Sequence, residues 1–205
     1  MKHWFKDQHF RSLLKNSSYL AASRVVAAIA SVATLSLMAH ALGVLQFGAL
    51  VLITSYARAV SGLSKFQSWQ LIVRYGARAL HGQSDDFKTS TGFAFALDAL
   101  SGIGGMLIGV GLLPFIAKWV GIPPGLLWLA MLYCTLLPTM AAATPTGVLR
   151  ALDRFDLISW QSTATPISRV ILVGIAYGLH APFEAYVAAW YVTDLGGDLY
   201  GWFIA

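Results

Sequence analysis

The sequence predicts an all-α, polytopic membrane protein of about six transmembrane helices, and three observations carry that prediction. First, the 205 residues are 57% hydrophobic and only 11% charged, where a soluble domain carries about 25% charged residues. Second, the apolar residues gather into segments of about 20, the length a helix needs to cross a hydrocarbon core of about 30 Å. Third, the basic residues sit at the ends of these segments and not along one continuous face, so the net charge of +5 points to membrane topology and not to nucleic acid. The single cysteine, Cys134, lies in an apolar run and allows neither an internal disulfide nor a cysteine-based metal cluster.

The elements follow in order. Residues 1–17 form a basic amphipathic segment, in which Trp4, Phe5, Phe10, Leu13 and Leu14 alternate with Lys2, Lys6, Arg11 and Lys15. From Arg24 to Arg58 no Lys, Arg, Asp or Glu intervenes, and His40, Gly43, Gln46 and Gly48 break the stretch near its middle. That reads as a hairpin of two spans, near 18–41 and 47–64. The first span is too long for a signal-peptide core, and a second follows at once, so it is retained. A helix over 65–81 places Phe66, Trp69, Ile72, Val73, Gly76 and Leu80 at helical spacing. It lies either at the membrane interface, with its basic residues toward anionic headgroups, or on protein as an extension of the second span. A third span fits 92–116 and a fourth 124–149, the latter started by a proline whose missing N–H has no helical partner in any case. The fifth and sixth, 157–179 and 183–205, are interrupted by polar residues. The chain stops within the apolar Tyr200 to Ala205, an ending that reads as a truncation. Residues 18–205 thus form a single six-span unit.

Orientation follows from Lys and Arg in the connections. Lys2, Lys6, Arg11, Lys15, Lys65, Arg74, Arg78, Lys88, Arg150 and Arg154 fall on one side, and Lys118 alone on the other. This alternation puts both ends of the chain in the cytoplasm.

Polar groups kept inside apolar spans mark the candidate site, because a charge at mid-bilayer costs about 2.5–3.5 kcal/mol on insertion scales. Arg24, Arg58, Asp98 and Arg169 qualify. Gln161, Thr165 and Arg169 share one helical face, with Pro166 permitting a bend beside them. Thr54, Arg58 and Ser61 form a second polar face, and Arg24 with Ser31 a weaker third. Arg24 and Arg58 lie close enough to the cytoplasmic surface to snorkel. Arg169 is too deep for that and either faces a wet cavity or pairs with Asp98 or Asp194. Three arginines with few acids make a cavity of positive potential, and the planar guanidinium suits phosphates.

No catalytic constellation emerges. His3, His9, His40, His81 and His180 lack metal-ligand spacing, so no metal and no cofactor is expected. Asp153 and Asp156, flanked by Arg150 and Arg154, read as a solvated salt-bridged turn. Gly102, Gly104, Gly105, Gly109 and Gly111 lie within a span and serve close helix packing, Gly105 and Gly109 in the Gly-x-x-x-Gly spacing.

The stretch from Tyr19 to Ala79, with Ala39-His40-Ala41-Leu42-Gly43-Val44-Leu45-Gln46-Phe47-Gly48 in its first turn and Arg74-Tyr75-Gly76-Ala77 after the second span, resembles the amino-terminal part of bacterial Wzx-type polysaccharide-biosynthesis flippases. So does Pro145-Thr146-Gly147-Val148-Leu149-Arg150-Ala151-Leu152-Asp153-Arg154-Phe155-Asp156. These proteins share a superfamily with murein-lipid flippases and MATE drug exporters. The resemblance implies one lobe of a MATE-like two-lobe transporter in the bacterial inner membrane, translocating an undecaprenyl-pyrophosphate-linked oligosaccharide. It also implies that arginines on early helices receive the lipid pyrophosphate, with Arg24 and Arg58 on the corresponding spans. A second six-span lobe or glycosyltransferase machinery would be the protein partner.

On that reading Arg24, Arg58 and Arg169 bind pyrophosphate, Thr54, Gln161 and Thr165 bond sugar hydroxyls, and Asp98 or Asp194 couples an ion. Two other readings stay open: a six-span membrane enzyme acting on a prenyl-linked or phospholipid substrate, and a truncated, non-transporting remnant.

Overall fold

Apolar side chains with no charged residue between them leave the backbone to satisfy its own hydrogen bonds, and in lipid only a helix or a closed barrel does so. The computed structural model, which describes residues 8–65, 68, 70, 72 and 84–204, is all helical, with no strand among the described residues. Its helices are α1 (Gln8–Ser64), α2 (Ser84–Val120), α3 (Leu127–Cys134) preceded by a 3₁₀ turn at Pro124–Leu126, α4 (Leu137–Met140), α5 (Thr144–Ala151), α6 (Phe155–Gly178) and α7 (Phe183–Ile204).

Helix α1 is a hairpin of two arms. Gly43 adopts φ 68°, ψ 176°, a region open essentially to glycine alone. In a straight helix Ser31 and Arg58 would stand about 40 Å apart, yet both line one small cavity. The second arm then packs on α2. A Cβ on Gly109 would meet Val60 Cγ1 at 3.3 Å, one on Gly105 would meet the Ser64 side chain, and Tyr56 donates a 2.7 Å hydrogen bond to the Gly109 carbonyl. The Gly-x-x-x-Gly face therefore lets two backbones approach closely.

The segment 124–149, expected as a single span, is a broken helix. Pro138 and Pro145 remove two backbone donors, Thr135 and Thr139 turn their hydroxyls onto the carbonyls three residues back, and Pro124–Cys134 meets Leu137–Ala151 at 48°. The break lets α2 come close: a Cβ on Gly102 would lie 2.6 Å from Pro138 Cα.

Ser18–Ser64 and Thr91–Val120 are each long and apolar enough to cross a membrane, and the bent pair makes up to a third. The core gathers Met38, Leu50, Ile53 and Ala57 of α1, Leu113 of α2, Tyr133 and Leu137 of the broken segment, Val173 of α6 and Trp190 of α7. A second, smaller cluster holds Ile72 against Ala94 and Val148. Of the expected helix 65–81, the buried Ser68 and Ile72 thus rest on protein. The remainder of that helix, apart from Lys65 and Gln70, lies outside the described residues, as do the side chains on which the reading of 1–17 rests.

Candidate anion site

Two arginines line one cavity of the bundle. Arg58 on the second arm of α1 and Arg169 on α6 line a cavity of about 170 Å³ together with Ser31, Thr34, Leu35, Pro166 and Trp190. Arg169 and Trp190 lie near the midpoints of α6 and α7, and Arg58 lies six residues before the end of α1. Arg58 is exposed and, among the described residues, has no ion-pair partner. The Ser31 and Thr34 hydroxyls donate to the carbonyls of Ala27 and Ala30, which leaves their oxygens, and not their protons, toward a guest.

Arg169 is held on three sides. Its Nη2 donates to the Asp194 carboxylate, its Nε donates to Thr193 Oγ1 at 3.0 Å, and its Cζ stands 4.3 Å from the centre of the Trp190 ring. Asp194 also accepts the Tyr133 hydroxyl. A carboxylate, a hydroxyl and an aromatic face together offset the desolvation of a guanidinium whose side chain is only 11% exposed. Of the two acids open to Arg169 in the sequence, Asp194 is its partner. The pairing removes most of one positive charge from the cavity, and Arg58 supplies the net charge.

Asp98 stands elsewhere. It is 1% exposed and accepts the backbone N–H groups of Ala143 and Thr144 at 2.8 and 2.7 Å and the Ser68 hydroxyl at 2.6 Å. Its carboxylate thereby caps α5, whose first N–H groups would otherwise lack acceptors. Each of these three contacts is structural.

Gln161 and Thr165 line a second, mostly apolar groove of about 310 Å³ between α6 and α7, with Ser168, Leu172, Thr193 and Tyr200 among its other walls. They are partly engaged there: the Gln161 amide donates to the Gly197 carbonyl at 2.7 Å, and the Thr165 side chain fills the space over Gly197. Gly201 sits 3.0 Å, measured from an added Cβ, from Gln161 Nε2. Gly197 and Gly201 thus form a second Gly-x-x-x-Gly contact, legible from spacing but absent from the expectations above. Thr54 is buried, bonded to the Val51 carbonyl at 3.2 Å, and lines neither cavity. Arg24 is exposed on the first arm and also lies outside both.

The structure therefore joins Arg58 to Arg169 and Gln161 to Thr165, and separates both sets from Arg24, Thr54 and Asp98. Sequence reasoning missed Thr34, Tyr133 and Trp190. Thr34 follows Ser31 by one turn, a signal that was available; the other two read as ordinary aromatic residues of a span.

Outside the bundle, Arg154 pairs with Asp156 through two contacts of 3.1 and 3.2 Å, with both side chains about half exposed. The guanidinium holds the Asp156 carboxyl below its ordinary range. No group of three or more metal-ligating side chains occurs among the described residues.

The sequence profile of a family described as "Polysaccharide biosynthesis protein" matches residues 13–205. The chain is 43% identical, over 207 aligned residues, to an "Inner membrane protein YghQ" of Escherichia coli strain K12. That alignment covers all of this chain and 58% of the relative, so the chain spans a little over half the relative's length. No solved structure matches the chain.

Proposed function

We propose, since this chain belongs to the polysaccharide biosynthesis protein family, that it forms part of a membrane transporter that moves a lipid-linked oligosaccharide across the bacterial inner membrane. The relative's name supports the location. The observation that carries the reading is Arg58: an arginine in the second arm of α1, exposed in a cavity between apolar helices, without an ion-pair partner among the described residues and lining the same space as a second arginine. A bare guanidinium among apolar helices is costly unless water or an anion meets it. A phosphate group carries the right charge and matches the guanidinium's paired donors.

In this proposal the pyrophosphate that links lipid to sugar enters the Arg58 cavity while the prenyl tail stays in lipid. Gln161 and Thr165 line a groove that accepts an extended apolar or hydroxyl-bearing part of the substrate. Arg24, nearer the cytoplasmic end of its arm, serves the approach and not the cavity itself. Six spans with both ends cytoplasmic give the orientation that the ten-to-one distribution of basic residues requires. A second six-helix lobe closes the cavity and makes alternating access possible, the driving step being a rocking of one lobe against the other.

Arg58→Ala, made in the longest reading frame containing this chain, abolishes complementation of a flippase-deficient strain at unchanged membrane abundance. Wild-type complementation by that variant removes Arg58 from transport.

A further inference from the structure

The two arginines of the cavity differ in one respect that matters for selectivity: Arg58 has no ion-pair partner among the described residues, and Arg169 already holds an acid. We propose that Asp194 is a built-in counter-ion that guards Arg169, so that the cavity retains a pyrophosphate in preference to a single phosphate. The proposal rests on the anion reading of this site given above.

The contacts around Arg169 allow such an exchange. Nε on Thr193 and the guanidinium plane on Trp190 fix the side chain without Asp194, so only the Nη end changes partner. The displaced carboxylate is not orphaned, because the Tyr133 hydroxyl already donates to it. The cavity has room for about six water molecules at their liquid share of volume, enough for a phosphate-bearing headgroup but not for a sugar chain.

A single phosphate on Arg58 has no second group with which to compete for Arg169. A pyrophosphate has one: the first phosphoryl group sits on Arg58 and the second displaces Asp194, forming a paired, charge-assisted contact. With Asp194 in place the empty cavity carries one net positive charge instead of two, and it holds small cytosolic anions correspondingly less well.

The test uses the purified chain in lipid nanodiscs, titrated with inorganic phosphate, inorganic pyrophosphate and farnesyl pyrophosphate. Wild type binds pyrophosphate more tightly than phosphate, by on the order of tenfold for one added charge-assisted contact. Asp194→Asn keeps the shape of the side chain but removes its charge, so phosphate gains access to Arg169 and its affinity rises by about the same factor. The double variant Arg169→Gln with Asp194→Asn removes the pair together and strands no buried charge; in it pyrophosphate loses its advantage while phosphate binding stays at the wild-type level. A folded Asp194→Asn with unchanged phosphate affinity, or a double variant that still prefers pyrophosphate, overturns the guard. Farnesyl pyrophosphate binds at least as tightly as the inorganic ion if the ligand is a lipid headgroup, and weaker binding overturns that assignment. A wild-type chain that binds none of the three sinks the anion reading itself, and the guard with it.

Discussion

Asp98 and Asp194 are both acids within long apolar helices, and they are neutralised in different ways. Among the described residues Asp98 has no cation beside it: two backbone N–H groups and the Ser68 hydroxyl satisfy it, at 1% exposure. Asp194 meets a phenol and a guanidinium that itself lines a cavity, with the Asp194 side chain 14% exposed. Backbone donors that begin a helix cannot leave, so Asp98 is fixed for as long as the fold is. A side-chain partner on a cavity wall can be exchanged. Within one bundle, then, an acid held by backbone is structure, and an acid held by an accessible side chain is available to function.

The largest expected effect breaks the first half of that contrast. Asp98→Ala leaves two buried N–H groups and a hydroxyl without acceptors, each costing about 1–3 kcal/mol, so the loss is about 3 kcal/mol or more. It would be read as a lowered melting temperature and a smaller folded fraction in detergent. Asp98→Asn retains one acceptor oxygen and loses less. A drop below about 1 kcal/mol for Asp98→Ala would mean that water replaces the carboxylate and that the cap is dispensable.

Arg169→Ala comes second, at about 2–3 kcal/mol, because it strands Asp194 with only the Tyr133 hydroxyl and the partial exposure of the pair reduces the full buried-pair cost. The double variant Arg169→Gln with Asp194→Asn recovers most of that loss in the same melting assay. If it is instead as unstable as the single variant, the pair is a structural strut of the same kind as Asp98.

The contrast also explains what could be read in advance. The all-helical class was legible because charge is scarce and apolar runs are long. Arg169 stood out for the same reason, and its choice narrowed to two acids. Deciding between Asp98 and Asp194 was beyond the sequence, because the choice depends on which helices pack together. Asp98 finds its donors 45 and 46 residues away, at the start of a helix created by the break around Pro138 and Pro145. That break hides inside an apolar run that reads as one span. Gln161 and Thr165 were legible as a polar face, but their engagement with Gly197 and Gly201 depends on the α6–α7 contact. The glycine spacing that makes this contact possible, Gly197 and Gly201, is present in the sequence.

The smallest effects separate glycines that matter from glycines that do not, and they test whether the Asp98 region is as rigid as the contrast requires. Gly102 lies one turn from Asp98 on α2, and an added Cβ would come within 2.6 Å of Pro138 Cα, a backbone atom that no rotamer change can move. Gly102→Ala therefore pushes α2 away from the broken segment and strains the Asp98 cap, costing about 1–3 kcal/mol as overpacking does. Gly104 and Gly111 on the same helix have nothing within 4 Å of an added Cβ. There alanine is neutral or stabilising by up to about 1 kcal/mol, since it lowers the backbone entropy lost on forming the helix. The three variants, melted side by side, give one destabilised protein and two at or above wild type. If Gly102→Ala melts with the other two, the α2 contact yields to a methyl group, and the Asp98 cap loses its claim to be the rigid half of the pair.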